Sequence, residues 1–263
     1  MDASRQYTTQ LQAGLGMVRE TITLLRLWGP GDTTVTLAEK AISQGVFSRS
    51  TARRTANLVR EMFAPRFLRD GGRPAQTLKL LVEANAPLED LTQLFFLHTA
   101  RAQAILADFI TDIYWPRYTA GATRITRSEP ETFIQRALDN GRMRKRWTPA
   151  SVRRVSGYLL GCCGDFGLLK GSGRTEWSIS RFAIRPSVAI YLVHDLHFSG
   201  LSDFALTRHP DWRLFGLEPH EVVNHLRNLA NDGHLIVQAT PELVHITWKY
   251  KSMEDCARAI AER

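Results

Sequence analysis

The chain has 263 residues, 44% of them hydrophobic and 23% charged, which suits one large domain or two to three small ones and excludes a disordered polar chain. Its formal net charge of +8 is unevenly spread: residues 1–186 hold 27 Lys+Arg against 16 Asp+Glu, net +11, and residues 187–263 hold 7 against 10, net −3. A basic body joined to a mildly acidic tail third points to a polyanion-binding surface beside a part that need not touch polyanions.

The three cysteines, Cys162, Cys163 and Cys256, make no paired framework, which indicates a reducing compartment. The opening MDASRQYTTQLQAGLG lacks a basic segment followed by an apolar run, and no apolar stretch approaches the ~18 residues of a membrane span. A cytoplasmic protein is expected.

In chain order, Leu11, Leu15, Val18, Ile22, Leu25 and Trp28 recur at helical spacing and predict a helix over 11–28, stopped by Gly29-Pro30-Gly31. A second helix is predicted over 33–44. After a turn at Gly45-Val46-Phe47, Ser48 or Ser50 caps a third, running to Phe63 and ended by Pro65. This is a helix–turn–helix pattern, with Arg49, Arg53, Asn57 and Arg60 on the polar face of its last helix and Arg54 on the flank; with Ser50 they are its candidate DNA-binding residues. Long cationic donors suit phosphates, and asparagine can also read adenine edges. The run from Arg49 to Arg73 holds seven arginines.

Residues 74–141 read as a helical middle, with helices near 75–84, 88–99, 101–115 and 130–139, the third ended by Trp115-Pro116. A second basic cluster follows: Arg142, Arg144, Lys145, Arg146, Arg153 and Arg154. A helix from Thr148 or Pro149 to Cys162 leads through Asp165-Phe166-Gly167 into a hairpin around Gly171-Ser172-Gly173, with Lys170, Arg174 and Arg181 on or beside it. A helix followed by a basic hairpin is how a winged helix ends, so residues 142–186 are read as a winged-helix-like segment. Residues 187–263 repeat the theme without the charge: helices near 187–197, 201–208 and 219–231, strands at 234–239 and 243–250, and a helix over 253–261. No repeat of fixed period is present. The predicted class is mainly α, with helix–turn–helix and winged-helix modules carrying small hairpin wings, divided as 1–73, 74–141, 142–186 and 187–263.

Other chemistry was weighed. Asp165-Phe166-Gly167 matches the kinase metal-binding tripeptide, but no phosphate loop, strand lysine or catalytic loop accompanies it, so it reads as a turn. His194 and His197 lie three apart without an obvious third metal ligand, and Cys162-Cys163 lacks zinc spacing. No catalytic residue, metal or cofactor is expected.

The segments REMFAPRFL, LFFLHTARAQAILADFI, YWPRY, GDFGLL, AIYLVHDLHFSGLSD, HPDWRLFGL, GHLIVQ and ITWKYKSMED lie in order along the chain. Together they resemble the BrxA family of BREX phage-exclusion systems, from about Thr9 to Met253. The resemblance implies a small non-enzymatic component with helix–turn–helix or winged-helix parts that binds double-stranded DNA beside other BREX proteins. An inner-membrane location, once attached to the family, conflicts with the hydropathy. The alternative is an assembly subunit that docks other BREX proteins through the acidic C-terminal third and the HPDWRLFGL segment. RNA is the weaker nucleic-acid ligand, because no aromatic stacking platform is evident between the basic clusters.

Overall fold

A computed structural model of the chain describes residues 6–13, 16–48, 50–143, 145–171, 175–231, 233–240 and 244–262. The fold is mainly helical with short antiparallel sheets. Two compact units are present, each made of two stretches of chain: 1–73 with 95–182, and 74–94 with 183–263.

In the first unit, the predicted 11–28 helix divides into a 3-10 turn, Gln10–Ala13, and α1, Val18–Leu27. Met17, just before α1, takes a left-handed conformation (φ 45°), so the helix cannot run unbroken across it. Helix α2, Thr34–Ser43, starts with a reciprocal capping box between Thr33 and Thr36. Helix α3 covers 52–67 and is capped by Thr51, whose hydroxyl accepts the Arg54 amide; neither Ser48 nor Ser50 caps it.

Neither proline ends its helix. A proline inside an α-helix removes one hydrogen bond, and its ring strikes the carbonyl four residues back. In α3 a π-turn, Leu58–Phe63, precedes Pro65, and the Ala64 amide reaches back five residues to the Val59 carbonyl. Helix α6, 104–119, repeats the device. A π-turn at Ile110–Tyr114 precedes Pro116, and the Trp115 amide bonds the Ile110 carbonyl. The wider turn relieves the conflict at the ring, so both helices continue past their prolines. The two sites share a sequence: Phe63-Ala64-Pro65-Arg66-Phe67 and Tyr114-Trp115-Pro116-Arg117-Tyr118.

Between α3 and α6 in the chain lie α4 (Arg73–Glu83) and α5 (Leu88–Ala102), the latter divided between the two units. The fully buried rings of Phe63, Phe67, Phe95, Phe96, Phe109 and Phe166 anchor the core of the first unit. Their contacts include Phe67 edge-on to Phe95 at 5.8 Å and Phe96 tilted against Phe166 at 5.6 Å. Arg66 is also buried, 1% exposed. Desolvation pulls its guanidinium down to about 10, partly opposed by nearby Cys162; burial pushes that thiol up to about 12.

After α6 come strand β1 (Arg124–Thr126), α7 (Ser128–Asp139), α8 (Pro149–Asp165), β2 (Leu169–Lys170) and β3 (Glu176–Ile179). The sheet is antiparallel in the order β1-β3-β2, with Ile125 opposite Trp177 and Leu169 opposite Ile179. Strand β1 lies outside the predicted elements, because its three residues are too few to show a period. Tyr114, the last residue of the second π-turn, is fully buried, and its hydroxyl lies 3.3 Å from the Leu168 carbonyl and 3.2 Å from that of Ser180. It ties α6 to both flanks of the β2–β3 hairpin. Asp165-Phe166-Gly167 is the expected turn: Asp165 ends α8, its carboxylate accepts the Gly16 amide at 2.9 Å, and Gly167 has φ 82°.

In the second unit, Asp90 on α5 accepts the Ser187 hydroxyl at 2.5 Å and pairs with the Arg185 guanidinium. Gln93 brackets the same segment through the Ala183 carbonyl (2.8 Å) and the Arg185 amide (2.9 Å). Helices α9 (Pro186–Phe198), α10 (Asp203–Thr207) and α11 (Pro219–Asn231) lead into the hairpin β4 (Leu235–Ala239) and β5 (Val244–Trp248), followed by α12 (Met253–Ala261). Within HPDWRLFGL, Pro210–Phe215 forms a 3-10 helix with Trp212, Leu214 and Phe215 buried, and the Trp212 indole N–H donates to the Leu206 carbonyl at 2.8 Å. His197 stacks on Trp248 at 3.9 Å, and buried His194 holds the Ile190 carbonyl through Nδ1 at 2.7 Å.

Two outcomes follow. Tyr114→Phe leaves the buried Ser180 carbonyl without its hydroxyl partner and costs about 1–2 kcal/mol; an unchanged urea midpoint contradicts the tie. Burial holds His194 at about 4, below the ordinary histidine range, so the unfolded chain binds the proton first. Stability contributed by its neutral form is present above pH ~6.5 and falls as pH drops toward 4, by about 2 kcal/mol at pH 5. Urea unfolding at pH 7 and pH 5 shows this fall, and His194→Phe removes most of it.

Candidate nucleic-acid interface

The charge imbalance sharpens when counted by unit. Residues 1–73 and 95–182 hold 25 Lys+Arg against 13 Asp+Glu, net +12, whereas 74–94 and 183–263 hold 9 against 13, net −4. The candidate interface belongs to the first unit.

On α3, Arg53 and Arg54 are exposed and make no ion pair with a described residue. Arg60 is exposed but engaged: its guanidinium pairs with Glu61 at 2.8 Å and donates to the Asn57 side-chain oxygen at 3.0 Å. Asn57 thereby spends its acceptor within its own helix, which weakens it as a reader of adenine. Ser50 is half-buried, with its hydroxyl oxygen enclosed and not hydrogen-bonded. Arg49, Arg144 and Arg174 lie outside the described residues. Helix α2 packs against α3, and its Leu37 and Ala41 are buried.

The second cluster divides the same way. Arg142 pairs with Asp108 at 2.5 Å and stacks over the Tyr7 ring at 4.8 Å. Tyr7 donates to the same carboxylate at 2.6 Å, and burial beside that carboxylate raises its hydroxyl far above the usual range. Arg142 is therefore part of a structural triad. Lys145, Arg146, Arg153, Arg154 and Lys170 are exposed and make no ion pair among the described residues. Thr148 caps α8 through the Ser151 amide, with Pro149 in the first turn, so the helix is already wound where Arg153 and Arg154 project.

Trp147 is not among the residues that the sequence pattern singles out. It directly follows Arg146, is half-buried, and lines a cavity of about 500 Å³ between α7 and α8. The signal was the adjacency of an aromatic to the basic run. Among the described residues no group of three His, Cys, Asp or Glu side chains is placed to hold a metal ion, and no helix is long and apolar enough to cross a membrane.

Fold and surface together define a mainly helical protein with small antiparallel hairpins and, among the described residues of one of its two units, exposed cations without ion pairs. A family model for BrxA matches residues 5–195. The chain belongs to the BrxA family, whose members are components of BREX phage-defence systems. No curated protein matches it. A crystal structure of an uncharacterized protein from Magnetospirillum magneticum is similar in fold, with a TM-score of 0.62 at 15% identity over 80% of this chain and 98% of that one.

Urea unfolding separates structural from free cations. Arg142→Ala should cost about 1 kcal/mol, because it strips Asp108 and Tyr7 of their partner at a partly exposed site. Arg153→Ala and Arg154→Ala should each stay within about 0.5 kcal/mol of the parent. A stability loss at Arg153 equal to that at Arg142 contradicts this division.

Proposed function

We propose that this chain is a non-enzymatic, cytoplasmic BREX component that binds double-stranded DNA, mostly through phosphates. The observation that carries the reading is a group of exposed cations with no acidic partner among the described residues, Arg53, Arg54, Lys145, Arg146, Arg153, Arg154 and Lys170 among them, in a unit of net charge +12. Self-paired surface arginines have little to gain from a phosphate; unpaired ones release counterions from DNA on contact.

The element order supports a specific docking. The run α6–β1–α7–α8–β2–β3 with strand order β1-β3-β2 supports a winged-helix reading, in which α8 would enter or flank the major groove and the hairpin would lie over the backbone. Helices α2 and α3 act as a helix–turn–helix, with Arg53 and Arg54 toward the duplex. Base specificity is low in this reading, since the free side chains are phosphate donors and Asn57 is occupied.

Other BREX proteins are the second class of partner. The net charge of −4 on the second unit favours a contact there that avoids DNA. The HPDWRLFGL segment suits this role less well than its composition suggests, because its large apolar side chains are buried.

In a gel-shift titration with a paired duplex, Arg153→Glu with Arg154→Glu should weaken binding at least tenfold, as should Arg53→Glu with Arg54→Glu. Arg60→Ala, already bound within its helix, should change it by less than about threefold. Duplex affinity that survives both double charge reversals overturns the DNA reading.

A further inference from the structure

The cavity between α7 and α8 is more than a gap between helices. Leu138, Pro149 and Val152 give it an apolar part, and Trp147 also lines it. At about 500 Å³ it falls inside the range of roughly 300–1,000 Å³ typical of small-ligand sites. Trp147 makes no ring contact and no hydrogen bond with any described residue, although it is half-buried. A large aromatic in that state leaves a π-face and an indole N–H available to a ligand.

Arg146 and Arg153 also line the cavity, both exposed and without an ion pair among the described residues. Across from them α7 contributes acceptors. Glu131 shares one oxygen with Arg127 at 3.4 Å, and the Gln135 amide N–H donates to Asp139 at 3.0 Å, which leaves the Gln135 oxygen and the second Glu131 oxygen for another donor. One cavity thus offers a stacking surface, two free guanidinium groups and a pair of acceptors. A planar base, its exocyclic amino group and an attached phosphate match these in turn. An acidic peptide would use the arginines and leave the indole face and the acceptors without partners.

We propose that this cavity receives one unstacked nucleotide, its base against Trp147, its amino edge toward Glu131 and Gln135, and its phosphate between Arg146 and Arg153. The proposal rests on the duplex-DNA reading for its strand-borne form. Bases held in a paired stack cannot enter, so a bulge, fork or single-stranded junction is required. The acceptor pair favours adenine, cytosine or guanine, which present amino groups, over thymine.

The experiment compares two duplexes of equal length, one fully paired and one with a single bulged 2-aminopurine, by anisotropy titration against the full chain at fixed salt. The bulged duplex should bind about tenfold more tightly, and its 2-aminopurine emission should change on binding, as expected for loss or gain of stacking on one base. Trp147→Ala should bring the bulged duplex to the affinity of the paired one, and Trp147→Phe should keep most of the preference. Equal affinity for both duplexes in the parent chain, or a preference that survives Trp147→Ala, overturns the proposal and leaves the DNA reading standing. If neither duplex binds at low salt, the DNA reading fails, and calorimetric titration with adenosine monophosphate decides the pocket: heat lost in Trp147→Ala supports it, and no heat in the parent overturns it. Adenosine monophosphate that displaces the bulged duplex shows that the site also takes a free nucleotide.

Discussion

The two prolines within α3 and α6 set the terms for the first unit. Each would end or kink an ordinary α-helix. A π-turn ahead of each lets the chain continue for another turn; in α3 the residues just past it are buried, whereas in α6 the buried residue is the last of the turn itself. In α3 this puts Arg66 and Phe67 into the core. In α6 it puts Tyr114 where its hydroxyl meets carbonyls on both sides of the β2–β3 hairpin. The hairpin in turn pairs with β1, which starts shortly after α6 ends. A strained-looking local feature therefore fixes how the basic hairpin and α8 attach to the helical body.

Function in this chain turns on which cations are spent. Arg66 is buried, Arg142 is locked with Asp108 and Tyr7, and Arg60 is held by Glu61 and Asn57. Composition counts all three toward a polyanion site, but their geometry assigns them to the fold. Of the arginines in the two basic clusters, Arg53 and Arg54 lie near the start of α3 and Arg153 and Arg154 near that of α8, both helices capped by a threonine hydroxyl. Capping satisfies the orphan amides of the first turn, so these side chains project from backbone that is already ordered. Little ordering then opposes their engagement, which suits the proposed contact with phosphates.

Much of this was legible in the residues. Helices with a clear apolar stripe and a good cap, such as α2 with its Thr33–Thr36 box and α8 behind Thr148-Pro149, fall close to where periodicity places them. Proline was misread as a stop signal at Pro65 and Pro116, because a π-turn depends on packing that no local pattern reveals. Paired copies of aromatic-x-Pro-Arg-aromatic were the available hint. Strand β1 is too short to show alternation, and it is fixed only by its partner β3. At the interface, the basic clusters were visible as charge runs, but ion pairs over long separations, such as Arg142 with Asp108, were not. Trp147 was passed over because a single aromatic does not form a series; its meaning comes from the cavity that α7 and α8 build around it.

The central claim is that unpaired cations of the first unit hold DNA phosphates. Its most direct test is the association constant for a fully paired duplex measured over a range of monovalent salt. The logarithm of that constant should fall linearly with the logarithm of salt concentration, with a slope of about −3 to −6 for several phosphate contacts. A slope near zero, or no binding at the lowest salt, would contradict it.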